Sequence, residues 1–329
     1  MDGAENMANS RTPPRGMMGA LRTFKHFAVT GLWNSIAARK LLAKYSLDTI
    51  ETDLGGHHHP VAIVAIFKGE DEYLREWLEF HLIVGVSHFY LYDNGNSEAS
   101  RVILEPYIKQ GLVTYLAFPE FPEPTLRNRY GKDQFRKLSM QNLAYGDCTS
   151  KHARQCDWLV KIDLDEFIYP LAPYNTLDAA FSRFDKKRIK GFTVLAARFG
   201  PSGNISRSGL PVIETFGMRN PGYDNDWKSV GNGAFINRGA GYHGAHSFYY
   251  RFAPWARILA DENTRDIVRI NHYYIKSRDE YLDKIQFHAV GHKAGKEVPD
   301  KWPLANDEAS HPDDGSILRF LPTLKARLR

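Results

Sequence analysis

From Val61 onward, short unbroken apolar runs alternate with longer stretches whose apolar residues recur every three or four positions. "VAIVAIF" (61–67) contains no polar residue, which predicts a strand buried on both faces. In "EDEYLREWLEFHLIVG", Tyr73, Leu74, Trp77, Leu78, His81 and Leu82 share one helical face, with acids at the start and Gly85 at the end. The unit then repeats. "VSHFYLYDN" reads as a strand, and "SEASRVILEPYIKQG" as a helix opened by Ser97 and stopped by Gly111. A strand "LVTYLAF", a Pro-rich loop (119–124), a helix around 133–146 and a strand "WLVKID" complete the first half. Strands alternating with helices predict an α/β fold with a mostly parallel, doubly wound sheet and helices on both faces. Such sheets bind ligands at the carboxyl ends of their strands, where Asp93 and Asp163 stand.

After Pro170 the pattern loosens. A helix is expected over 175–184, a strand over 189–200, a Gly- and Asn-rich loop region over 200–245 and a late strand in "DIVRINHYYI". Ser277 and Glu280 stand at capping-box spacing before a further helix. Residues 1–20 read as disordered, and 21–56 as an amphipathic helical segment whose face carries Phe24, Phe27, Ala28, Gly31, Leu32 and Ile36. That face either docks on the protein or lies on a membrane. The "HHHP" stretch (57–60) reads as a polar loop before a strand.

Composition narrows the class. A chain of 329 residues with 43% hydrophobic and 25% charged residues can bury a sizeable globular core. The net charge of +5 is concentrated at the two ends, with Arg319, Lys325, Arg327 and Arg329 in a basic C-terminal tail over 291–329. A solvated tail is the simple reading; peripheral contact with an anionic membrane is the other. Cys148 and Cys156 are the only cysteines, so a disulfide framework is not expected and a cytoplasmic setting is. No apolar run approaches the roughly 20 residues that span a bilayer.

"VKIDLDEFIYP" (160–170) carries the chemistry. An apolar run ends in Asp163, Asp165 and Glu166, although burying unpaired carboxylates is costly. In an extended segment residues i and i+2 point the same way, so Asp163 and Asp165 would present carboxylates to one point. Hard cations such as Mn2+ or Mg2+ take oxygen ligands of this kind and bind substrate phosphates. An EF-hand would need Gly where Ile168 stands, and an aspartyl-nucleophile phosphatase would need Thr or Val where Phe167 stands. The plainer alternative is a carboxylate pair that caps the sheet edge.

"FKGEDEYLREWLEFHLIVGVSHFYLYDN", "DWLVKIDLDEFIYP", "RFGPSGN" and "INHYYIKSRDEYLDKI" together resemble glycosyltransferase family 92, within the family 2-like class, over roughly residues 61–290. The resemblance implies a GT-A fold, with a nucleotide-sugar-binding half over 57–170 and an acceptor-binding half over 171–290. It also implies a divalent metal, inversion at the sugar carbon and, as donor, a nucleotide sugar such as a UDP-sugar. Asp163 and Asp165 match the metal-binding D-x-D, and His272 a late histidine that completes the metal shell. Lys68, Glu70, Asp93 and Lys276 fall at donor-binding positions. Phe199, Gly200, Ser202 and Gly203 match a loop near the acceptor, a glycan or glycolipid. Gly69, Asn96 and Asn204 depart from the pattern.

A carboxylate should take the acceptor's proton, and Glu214, Asp226 and Glu166 are the candidates, Glu166 with its side chain expected on the far side from the two aspartates. Asp93-Asn94-Gly95 also describes a simple turn. A nucleotide-sugar- or carbohydrate-binding protein without catalysis is the competing class. Phosphoryl transfer lacks a phosphate-cradling Gly-rich loop, and nucleic-acid binding lacks a recognition motif.

Overall fold

The computed structural model describes residues 35–43, 49–50, 58–118, 125–126, 136–137, 139–222, 227–241, 243–284 and 302–329. The expected disorder over 1–20, most of the apolar face from Phe24 to Leu32, and Asp226 lie outside the described residues.

The elements begin with α1 (35–43), β1 (Thr49–Ile50), β2 (His59–Phe67), α2 (Asp71–Ile83), β3 (His88–Asp93), α3 (Glu98–Lys109) and β4 (Val113–Ala117). They continue with β5 (Thr125–Leu126), β6 (Arg136–Lys137), α4 (Met140–His152), β7 (Cys156–Lys161), β8 (Glu166–Pro170), α5 (Leu177–Phe181) and β9 (Ile189–Arg198). The last part holds α6 (Val212–Thr215), β10 (Met218–Arg219), β11 (Trp227–Asn232), β12 (Arg257–Leu259), β13 (Val268–His272), α7 (278–284), α8 (Trp302–Glu308), β14 (His311–Pro312) and α9 (Leu321–Leu328).

Among the described residues the main sheet runs β1-β4-β3-β2-β7-β11-β9-β13-β8, with β12 added to β9. Strands β4, β3, β2 and β7 are parallel, as the strand–helix alternation requires. β11 lies antiparallel between β7 and β9, while β13 is parallel to β9 and antiparallel to β8. Both faces are covered, which explains the unbroken apolar runs. Val61, Ile63 and Ala65 pack with Trp77, Leu78 and Leu104 of α2 and α3. Ala62 and Val64, on the other face, pack with Leu143, Ala144 and Cys148 of α4 and Ala38 of α1.

Several boundaries differ from expectation. The helix foreseen over 133–146 starts at Met140 and runs to His152, because Ser139 and Asn142 form a reciprocal cap that fixes its first turn. Arg136–Lys137 instead pairs with Thr125–Leu126. The helix expected over 175–184 is the shorter α5, while Ser97 and Ser277 cap α3 and α7 as expected. The described part of the N-terminal segment docks on the protein, with Ala38 buried and Leu41 and Leu42 packed beside it.

The C-terminal stretch, expected to be a solvated tail, is packed from Trp302 to Leu328. Ile317, Phe320 and Leu324 enter the main core, and α9 lies on α2. Arg269 of β13 reaches Asp313 at 3.0 Å and Asp314 at 2.9 Å, and these ion pairs fasten the stretch.

One connection governs the shape of the sheet. β7 and β8 are joined by residues 162–165 alone, with Glu166 N donating to Asp163 O at 3.1 Å across a turn. Yet β8 stands four places from β7 in the strand order, which in a flat sheet is about 19 Å at roughly 4.8 Å per strand. The sheet must therefore curl until its last strands return to the end of β7.

Candidate active site at the carboxyl edge of the sheet

Where the sheet closes on itself, Asp163-Leu164-Asp165 forms the turn. This corrects the extended geometry expected for it: the two carboxylates do not share one partner. Asp163 accepts from Gln141 Nε2 at 2.8 Å and faces Lys228 Nζ at 2.6 Å. Asp165 faces Lys284 Nζ at 3.0 Å and His272 Nε2 at 3.5 Å. α4 supplies Gln141 and Tyr145, β11 supplies Lys228, β13 supplies His272 and α7 supplies Lys284.

Glu166 does not point away from this group. Its Oε2 accepts from Asp163 N at 2.9 Å and lies 3.0 Å from Lys228, so one ammonium serves two carboxylates. The residue is 1% exposed, and burial pushes its carboxyl up to about 7 against the pull of Lys228. A group so enclosed beneath the turn is poorly placed to meet an acceptor hydroxyl.

The electrostatics of the other members follow from burial and pairing. Burial alone would raise the Asp165 carboxyl, but Lys284 and His272 outweigh it and hold the group well below the usual carboxylate range. Burial likewise disfavours charge on His272, and the neighbouring Asp165 overcomes this and raises it. Glu70, just before α2, has its carboxyl raised to about 7 by burial and then by the charge of Asp165; Lys276 and Lys284 oppose this. Lys276 is buried with its ammonium 4.0 Å above the Tyr73 ring, and burial lowers its pKa.

The structure thus brings together Glu70, Asp163, Asp165, His272 and Lys276 from the residues expected at the site. It adds Lys228, Gln141 and Tyr145, which no motif marked, and Lys284, which stands in "INHYYIKSRDEYLDKI" but to which the resemblance assigns no role. Two helix atoms hold the floor in place. Trp77 Nε1 donates to Glu166 O at 2.9 Å, and neutral His81, driven down to about 3 by burial, accepts from Ile168 N at 3.2 Å.

Other expected members stand elsewhere or act differently. Asp93 is fully buried, and its oxygens accept from Gly95 N, Asn96 N, Ser97 N and Tyr115 OH at 2.8–3.2 Å. Its carboxylate is spent on the turn, which is the simple-turn reading rather than a donor contact. Lys68 is half-buried beside the same turn. Glu214 is held by Lys325 of α9 at 2.6 Å and makes none of the described contacts with Asp163, Asp165 or His272.

The loop after β9 does adjoin the site, since Phe199 N donates to His272 O at 2.8 Å. Ser202 turns at φ +51°, and Gly203 N donates to Asn306 Oδ1 of α8 at 2.8 Å. Gly200 is a packing position: a Cβ there would lie 2.3 Å from Ala309 Cβ and 2.8 Å from Ala305 O.

The donor atoms suit a hard divalent cation in kind, being carboxylate oxygens and an imidazole nitrogen. Their arrangement is one of ion pairs. Among the described residues no three His, Cys, Asp or Glu side chains converge as a ligand set, and Lys228 and Lys284 engage the two aspartates. A cation would have to displace at least Lys284 to reach Asp165.

Comparison with known proteins agrees with the sequence resemblance. Residues 60–210 match the family model of glycosyltransferase family 92. A family 92 protein of Ricinus communis is 22% identical over 238 residues, covering 70% of this chain and 38% of the relative. One of Oryza sativa subsp. japonica is 23% identical over 166 residues, covering 50% and 26% respectively. The chain therefore spans well under half the length of these curated relatives. A mannosyltransferase of Pyrobaculum calidifontis, solved with GDP-Man and Mn2+, aligns over 94% of this chain and 84% of its own at 13% identity. Its TM-score of 0.31 is too low to carry weight.

Proposed function

Because residues 60–210 match the family model of glycosyltransferase family 92, we propose that this chain moves a sugar from a nucleotide-diphosphate sugar to an acceptor hydroxyl. The observation that supports this most is the cluster at the carboxyl edge, where Lys228, Lys276 and Lys284 stand among Glu70, Asp163, Asp165 and His272. Ligands of such sheets bind at that edge, and a diphosphate leaving group there meets cationic side chains.

In this reading the ammonium groups of Lys276 and Lys284 orient the diphosphate and stabilise its growing charge. A Mn2+ or Mg2+ ion would be held by Asp163, Asp165 and His272 only once Lys228 and Lys284 release the two aspartates, and it would then supply Lewis-acid stabilisation of the leaving nucleotide. The loop over Phe199–Gly203 faces the acceptor, a glycan or glycolipid of polysaccharide biosynthesis. Transfer proceeds with inversion from a UDP-sugar. Of the three carboxylates considered as base, Glu166 is enclosed and Glu214 is paired with Lys325, leaving Asp226, two residues before Lys228 in the chain. The protein works in the cytoplasm, peripherally on the inner face of the membrane.

A panel of nucleotide sugars, assayed for hydrolysis and for transfer to oligosaccharides with and without Mn2+, tests this. Turnover of one donor, lost in Asp165→Asn and on chelation, is the expected result. Donor binding without turnover in any condition would point to a binding protein that lacks catalysis.

A further inference from the structure

At the opposite edge of the sheet, residues 251–259 read "RFAPWARIL", with Ala253, Ala256 and Leu259 buried and the residues between them exposed. Over Phe252–Ala256 the usual order is inverted, since two alanines face inward and two aromatic rings outward. Phe252 is 90% exposed, Trp255 65% and Ile258 53%. The backbone that carries them is fixed. Arg257 pairs with Ile189 in the β12–β9 ladder, and Arg251 N donates to Phe235 O at 2.9 Å.

A basic stretch borders them. "RFDKKRIK" (183–190) holds Arg183, Lys186, Lys187, Arg188 and Lys190 against a single acid, Asp185. A cleft of about 600 Å³ lies between the two segments, lined by Arg183, Arg188, Trp255 and Arg257 among others. Lys186 is paired with Asp157 at 2.7 Å, and Asp185 lies 3.9 Å from Arg188. Arg183, Lys187, Arg188, Arg251 and Arg257 are all exposed around the apolar group.

We propose that this face docks on an anionic lipid surface. A soluble ligand in the cleft would leave Phe252 uncovered, because that side chain projects away from any wall. A bilayer interface covers all three apolar side chains at once, seats the Trp ring at headgroup depth and pairs the arginines with lipid phosphates. Isolated exposed apolar residues are ordinary; three on one nine-residue segment, ringed by arginines with Asp185 as the one acid of the bordering stretch, form an apolar patch in a net basic surround. β9 spans ten residues between this face and His272's neighbour Arg198, about 30 Å of strand. A protein seated here presents its carboxyl edge to solvent, away from the bilayer.

The test is co-sedimentation of the full chain with phosphatidylcholine vesicles, with and without phosphatidylglycerol, at low and high salt. Phe252→Ser with Trp255→Ser, and separately Arg188→Glu with Arg257→Glu, alter only exposed side chains. Binding is expected to anionic vesicles only, to weaken in high salt, and to fall at least about tenfold in each double variant. Circular dichroism is expected to stay unchanged. The proposal is overturned if the intact protein stays in the supernatant at low salt or if both variants sediment like wild type. It is equally overturned if the aromatic variant abolishes a dimer seen by light scattering while vesicle binding persists.

Discussion

Lys228 Nζ lies 2.6 Å from Asp163 and 3.0 Å from Glu166, with the lysine side chain 5% and the glutamate side chain 2% exposed. Replacing it with Met leaves two carboxylates adjoining under one turn, one of them without water. Breaking a buried pair from one side costs about 3–5 kcal/mol, so Lys228→Met should lower the unfolding free energy measured in urea by that much and abolish donor binding. A variant with wild-type stability would show that Glu166 is already protonated and does not need the ammonium. Asp163→Asn tests the other side of the pair: the Gln141 contact can survive, so folding is expected to hold while transfer fails, measured by circular dichroism beside activity. The aspartates were legible because acids ending an apolar run are anomalous. Lys228 and Lys284 were not: each meets its partner across 65 or 119 residues of chain, and a lone lysine in a strand or helix carries no mark of that.

At the scale of elements, the capped helices and the apolar strands were readable from sequence because local chemistry decides them. Ser97 with Ser100, and Ser277 with Glu280, make the caps that their spacing implied. The boundary of α4 and the strand β8 were not, since "EFIYP" follows the strand "WLVKID" too closely to read as a strand of its own until β13 pairs with it. The docking of the C-terminal stretch also escaped, as its anchor is a buried arginine on a distant strand. Arg269 and Asp313 each have side chains 4% exposed, so Arg269→Met should destabilise the protein by about 3–5 kcal/mol in urea unfolding. The pH dependence has a definite sign. Burial would raise the Asp314 carboxyl, but the Arg269 hydrogen bond outweighs it and the folded pKa is depressed. Its contribution is complete above the unfolded value of about 4 and disappears as pH falls through the folded value. The gap between wild type and Arg269→Met should therefore narrow on acidification below that point. A gap that widened would place the stabilising charge elsewhere.

For the molecule as a whole, a donor that binds only the folded form raises its melting temperature by mass action. Uridine diphosphate with Mn2+ is expected to give a shift that chelator removes. An undiminished shift in chelator would mean that the lysines alone hold the diphosphate. The curled sheet has a further consequence, for what can be cut away. The stretch that matches the family model ends at residue 210, before β11, β13 and α7. β11 is the strand that separates β7 from β9, so a fragment ending there loses the middle of its sheet and not an appendage. It also loses the ammonium beneath Asp163 and the imidazole beside Asp165. Expressed alone, residues 58–210 should be protease-sensitive and bind no nucleotide, while a chain retaining residues to 329 should resist digestion. The part by which the family is recognised is thus not a unit that can be excised: the recognisable half depends for its shape on the half that is not.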